Sequence, residues 1–221
     1  MKKLAAFLAL LILGTTGLSA RFYTTPYQFG HRWNIAVQGG PTLFYAENSE
    51  SYKDNTLGWT IPTWHAAFSI GYNFSNAHEL RVSFGYGQNH SALNPYGGFY
   101  PFSFRAAHVF ADYLLNFNGL GEYDTGFNPR MYAGLGCAYS FGITEVAEHP
   151  FQVTHEPNIV PGIRVGTVLE YDFRSGLGLF ADFGVSAYTD WYNGLEPISF
   201  PLDVEIKLSL GVIYHFPGAK R

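Results

Sequence analysis

The stretch Asp203-Val204-Glu205-Ile206-Lys207-Leu208-Ser209-Leu210-Gly211-Val212-Ile213-Tyr214-His215-Phe216 alternates with a period of two residues. Val204, Ile206, Leu208, Leu210, Val212, Tyr214 and Phe216 share one face, and Asp203, Glu205, Lys207, Ser209 and His215 share the other. Successive side chains of a strand point to opposite faces, so this segment reads as a β-strand with one apolar and one polar side. The same pattern recurs upstream. Between Thr63 and Phe74 the apolar face is Trp64, Ala66, Phe68, Ile70 and Tyr72, and from Glu79 to Gly87 it is Leu80, Val82, Phe84 and Tyr86. Further strands are expected over 105–117, 130–141, 159–173 and 177–189, with a first one near 33–45 that Gly39, Gly40 and Pro41 interrupt. Gly, Asn, Pro and Ser clusters separate them, and no stretch carries a convincing helical period. The expected fold is all-β, with about eight antiparallel strands.

Alternation alone leaves the inside undecided, because a soluble lipocalin-like barrel alternates too, with its apolar face inward. The polar face decides. A soluble barrel would need it rich in Lys and Glu, yet here it holds Gly134, Gly136, Gly166, Gly178, Gly184, Phe110, Leu114, Phe180 and Ile213 among scattered charges. Such small and bulky apolar residues suit a tight interior. Charged residues make up 14% of the chain against about 25% in soluble domains, while aromatics reach 18%. Much of the surface is therefore expected to face lipid rather than water, which makes the fold an up-and-down transmembrane β-barrel. Loop lengths agree: Ser75 to His78 and Arg174 to Gly176 are short, whereas Ala46 to Pro62, Gln88 to Phe104, Gly142 to Pro157 and Asp190 to Pro201 are long. Two aromatic girdles are expected, with Tyr45, Trp64, Tyr139 and Tyr188 near the long loops and Tyr72, Phe74, Tyr171, Phe173 and Phe216 near the short turns.

The N-terminus supplies a route out of the cytoplasm. Met1-Lys2-Lys3, the apolar run Leu4 to Leu13 and the small residues up to Ala20 read as a cleaved signal peptide over 1–20, with the cut after Ser19 or Ala20. The apolar core is too short to span a bilayer, which takes about 20 residues. No cysteine follows it, which argues against a lipoprotein anchor. A lead segment over 21–32, a barrel over 33–216 and a tail over 217–221 complete the expected organisation. The only cysteine, Cys137, has no internal partner for a disulfide and is expected against lipid.

The run Asp112-Tyr113-Leu114-Leu115-Asn116-Phe117, the glycine-bearing turn after it, and Arg130 leading into Tyr132-Ala133-Gly134-Leu135-Gly136 resemble the OmpA-like outer-membrane β-barrel family. The ending Tyr214-His215-Phe216 resembles that family's assembly signal, which the barrel-assembly machinery reads during biogenesis. The likeness covers nearly all of the expected mature chain, although Pro217 to Arg221 extend beyond the terminal Phe. It implies an outer membrane of a gram-negative bacterium, with lipid and lipopolysaccharide as neighbours. Full-length relatives also carry a peptidoglycan-binding domain, for which no sequence remains here, so tethering to the cell wall is not expected.

Eight strands enclose a lumen just wide enough for side chains, so a porin-like channel is disfavoured on geometry. Glu79, Arg81, Asp112, Arg164, Glu170, Asp172, Asp182, Glu205 and Lys207 fall on the inward face, either lining a narrow path for ions or pairing with one another in a filled interior. Tyr96, Phe99, Tyr100, Trp191 and Tyr192 are candidate loop contacts for an extracellular ligand, or for the membrane interface. Glu145, Glu148, His149, His155 and Glu156 include metal-binding residue types, but their loop spacing carries little weight and neither a metal nor another cofactor is expected. Some small outer-membrane barrels resemble lipid A acyltransferases or deacylases using Ser and His. His90 and Ser91 are adjacent and so point to opposite faces of a strand, no supporting acid stands out, and no enzyme is expected. The net charge of −4 argues against nucleic acid.

Overall fold

The computed structural model describes residues 33–45, 62–93, 100–120, 126–145, 157–173, 175–189, 192 and 202–216. The expected signal peptide, lead segment and tail lie outside them. Eight strands run β1 Trp33–Tyr45, β2 Thr63–Asn73, β3 His78–Leu93, β4 Tyr100–Asn116, β5 Phe127–Glu145, β6 Asn158–Asp172, β7 Leu177–Thr189 and β8 Leu202–His215, with one helical turn, α1 Phe117–Leu120, between β4 and β5. Each strand pairs antiparallel with its sequence neighbours, and β1 pairs with β8 to close the barrel. At the seam Asn34 stands opposite His215, and the Phe216 amide donates to the Trp33 carbonyl at 2.9 Å. Closure gives every strand a partner on both sides, which is what a sheet needs where no water can satisfy its backbone. Among the described residues no helix is long and apolar enough to cross a membrane.

Burial follows the alternation in every strand. Trp33, Val37, Trp64, Phe68, Leu80, Phe84, Val109, Leu135, Ile163, Leu179, Phe183 and Leu208 stand exposed on the outer wall, with Leu135 at 70% and Leu210 at 72%, while Asn34, Ser69, Glu79, Arg81, Asp112 and Asp182 are buried inside. The barrel is thus inside-out relative to a soluble one, and the lipocalin-like alternative is excluded. Arg105 is an exposed cation on the outer wall, at the long-loop end of β4 beside a register shift against β5. Its place at the rim fits the fall in the cost of an outward Arg from about 2–4 kcal/mol at the bilayer midplane to nearly nothing at the interface. Cys137 is exposed on the outer wall, as its parity requires.

Three strands exceed the lengths expected from sequence. β3 continues to Leu93, β4 begins at Tyr100 and β5 spans Phe127–Glu145, so most of the expected loop Gln88 to Phe104, and Gly142 to Glu145 of the expected loop Gly142 to Pro157, is sheet. Cross-strand pairing carries the ladder past the point where alternation fades, as Asn89 pairs with Phe104 and Leu93 with Tyr100. Gly39, Gly40 and Pro41 do not break β1: burial still alternates on either side of them, and Gly40 passes so close to the Leu208 carbonyl that no side chain would fit.

The short-turn end is closed by local chemistry. Ser75 Oγ accepts from the amides of Ala77 and His78. Gly176 has a φ of +83°, which an L side chain rarely adopts, and its amide donates to the Phe173 carbonyl at 3.1 Å. α1 packs against the β2–β3 turn at Gly119, where a Cβ would collide with the Asn76 backbone.

Candidate functional site: the filled lumen

All nine expected inward charges face the lumen or line its lower mouth, and they assemble into three levels. At the lower level, nearest the short turns, Arg130 on β5 donates through Nη1 to Glu79 Oε2 at 2.5 Å and through Nη2 to Glu170 Oε1 at 3.0 Å. His215 Nε2 is 2.8 Å from the same Glu170 oxygen and 3.2 Å from Asp172 Oδ1. Asn128 donates to Asp172 Oδ2 at 2.7 Å, and Asn34 donates to Glu79 Oε1 at 3.1 Å.

At the middle level the fully buried Asp112 receives two guanidiniums. Arg81 Nε donates to Oδ2 at 3.1 Å, and Arg164 Nε donates to Oδ1 at 2.6 Å while its Nη2 reaches Oδ2. Arg164 also lies over the Phe110 ring at 4.5 Å, and Arg81 over Tyr132 at 4.8 Å. Asp182 accepts from the Tyr132 hydroxyl at 3.0 Å and sits 3.9 Å from Arg81.

The upper level is organised around Glu205. Glu205 accepts from Asn89 at 2.6 Å, Tyr192 at 2.5 Å and Tyr188 at 3.1 Å, and pairs with Lys207 at 2.5 Å. His108 bonds the Tyr192 hydroxyl at 2.8 Å. Tyr188 stacks on Tyr192 with centroids 4.2 Å apart, and the edges of Phe44 and Phe104 close over Tyr192. His65 bridges Thr42 at 2.8 Å and Ser209 at 2.7 Å.

Two expectations are corrected here. Tyr192 is not an exposed loop contact: it is fully buried, because its ring fills the upper lumen and its hydroxyl completes the Glu205 shell. Tyr188 does not belong to the outer girdle, since its position in β7 points inward and it too is fully buried. The other expected girdle residues lie on the outer wall or at its rims.

Tyr100 begins β4, and Tyr96, Phe99 and Trp191 lie outside the described residues, as do Glu148, His149, His155 and Glu156. Glu145 ends β5. His90 contacts Gln88 at 3.0 Å, and Ser91 follows it in β3. Arg130, His65, His108, Tyr132 and Asn89 also belong to the inward network. Strand parity places the first four there, because Arg130 shares its face with Gly134 and His108 with Phe110, whereas Asn89 lies where the alternation of β3 has faded.

Apolar side chains fill the space between the polar levels. Phe110, Ala138, Val160, Tyr188 and Tyr192 cluster above, and Ala36, Leu114, Tyr132, Val168, Phe180 and Ile213 cluster below. A cavity of about 10 Å³, room for one water, lies between the lower and middle levels beside Arg81, Arg130 and Glu170.

No family model matches the chain, and no curated protein sequence does. Among solved structures it is similar to Neisserial surface protein A, with 15% identity over 83% of this chain and 97% of that one at a TM-score of 0.54. A major outer membrane protein from Thermus thermophilus is similar with 18% identity over 84% of this chain and all of that one (100%), at a TM-score of 0.50. The likeness is one of fold, that of the small outer-membrane β-barrel.

Proposed function

We propose that this chain is a non-enzymatic, OmpA-like barrel of the gram-negative outer membrane, with a structural role in the envelope and loops available for contact outside the cell. The observation that carries this reading is the pairing of an apolar outer wall with a lumen packed by ion pairs and rings. A lumen so filled leaves little room for a solute path and supports a structural rather than a conducting role. Lipid and lipopolysaccharide would surround the outer wall, and Tyr214 and Phe216, both outward and exposed at the end of β8, are available to the assembly machinery. An extracellular ligand would be met by the loops around Tyr96, Phe99 and Trp191.

The charge-lined lumen is what favours a second reading, narrow passage of ions. Against it stand the bidentate grip of Arg164 on Asp112 and the aromatic layer of Phe44, Phe104, Tyr188 and Tyr192. Fractionation of producing cells, gel migration with and without boiling, and planar-bilayer recording separate the readings. Recovery in the outer membrane with a heat-dependent mobility shift and no unitary conductance is expected. Recovery as a detergent-free soluble protein would overturn the membrane assignment, and steady single-channel currents would replace the structural role by conduction.

A further inference from the structure

We infer that Glu170, Asp172 and His215, at the short-turn end of the lumen, form a binding site for a first-row divalent cation, zinc foremost. Glu170 Oε1, Asp172 Oδ1 and His215 Nε2 lie within 4.8 Å of one another, with the imidazole nitrogen 2.8 Å from one oxygen and 3.2 Å from the other. Ligands bound tetrahedrally at about 2.0–2.1 Å stand roughly 3.3 Å apart, so small movements would seat a zinc ion among these three donors. Without a cation one imidazole nitrogen is divided between two carboxylates: Nε2 is 2.8 Å from Glu170 Oε1 and 3.2 Å from Asp172 Oδ1, and that Asp172 oxygen is buried without a hydrogen bond.

The surrounding chain makes room for the convergence. Glu170 and Asp172 come from β6 and His215 from β8, so β7 lies between them. At the crossing point β7 carries Gly178, where a Cβ would stand 2.6 Å from Asp172 Oδ1 and 2.8 Å from Ile213. The missing side chain is what lets the donors meet across the intervening strand. The outer shell is built as well: Asn128 holds the second Asp172 oxygen at 2.7 Å, and Arg130 orients Glu170 at 3.0 Å. Such partners fix carboxylate ligands in place.

Charge gives an independent argument. The middle level sets Arg81 and Arg164 against Asp112 and Asp182 and is neutral. The lower level sets Arg130 and the His215 imidazole against Glu79, Glu170 and Asp172, three carboxylates to two basic side chains in a nearly closed space. A dication ligated by the neutral imidazole brings the level to neutrality. One imidazole among carboxylates favours zinc and its first-row neighbours over magnesium or calcium. The Asp172 side chain, 12% exposed, marks the side of entry at the short-turn mouth.

The test is zinc titration of the folded full chain in detergent against a chromogenic chelator, with cobalt substitution read by visible absorption. One equivalent is expected, with affinity falling as acid protonates the imidazole. Because His215 flanks the aromatic pair that ends β8, Asp172→Asn is the primary variant. It is expected to weaken binding by at least about 10- to 100-fold while keeping the heat-modifiable gel shift of a folded barrel. Gly178→Ala is expected to weaken binding by displacing Asp172, and the loop variant His149→Ala/His155→Ala to leave it unchanged. Absence of zinc binding by the folded wild type would overturn the proposal. So would a site that survives Asp172→Asn or is abolished by the loop variant.

Discussion

The lower and upper parts of the lumen confine polar side chains in the same narrow tube, but they satisfy them differently. Below, guanidinium forks meet carboxylates directly, and Arg130 alone ties Glu79 on β3 to Glu170 on β6. Above, the Glu205 carboxylate is shared among an amide, two phenols and Lys207, under the rings of Phe44 and Phe104. The difference lies in what remains when one member is lost. Arg130 is 2% exposed, so its carboxylate partners would be left charged in a closed space. The Lys207 side chain is 15% exposed and can turn toward water, and the phenols around Glu205 are neutral. Charge pairing makes the lower lumen brittle, whereas sharing makes the upper lumen tolerant.

That contrast can be broken by mutation. Arg130→Met is expected to have the largest effect, about 3–5 kcal/mol of lost stability, because it removes the one guanidinium paired with both Glu79 and Glu170 while leaving them buried. Urea unfolding in lipid vesicles, followed by tryptophan fluorescence, measures it. Glu205→Gln keeps an acceptor for Asn89 and the phenols but releases Lys207, so a smaller loss of about 2–3 kcal/mol is expected in the same assay. If Glu205→Gln proved the costlier of the two, the contrast would be reversed.

Tyr192→Phe keeps the stacked ring and removes only the hydroxyl shared by Glu205 and His108, for an expected loss of about 1.5 kcal/mol. Hydrogen exchange at the upper ends of β3 and β8 should rise with it, while the lower level stays protected. Thr42→Val removes one partner of the His65 ring and leaves Ser209, so about 1 kcal/mol is expected, near the limit that the unfolding midpoint resolves.

Legibility from sequence followed the physics of the strand. Outer-wall residues such as Leu208, Leu210 and Val212 repeat every second position because lipid selects one property on one face, and that repetition is visible without any partner. The inward face mixes Gly, Phe, Arg and Asn, because a lumen is filled by complementary shapes rather than by one kind of residue. Parity therefore placed Glu79, Asp112 and Glu170 inside, but could not show that one guanidinium serves two of them. Strand ends were legible only where alternation was strong, and the upper parts of β3, β4 and β5 are held by cross-strand pairing that a single strand's pattern does not show.

By itself the sequence determined an all-β chain, eight strands, the face each residue takes and the sense in which the barrel is turned, because these depend on a period of two and on which face tolerates charge. Only the tertiary structure decided which residues meet across the lumen: Tyr192 reaching in from beyond β7, Arg130 bridging two carboxylates, and Glu170, Asp172 and His215 converging past Gly178. Such contacts depend on closure and register, which bring together positions that no local spacing relates.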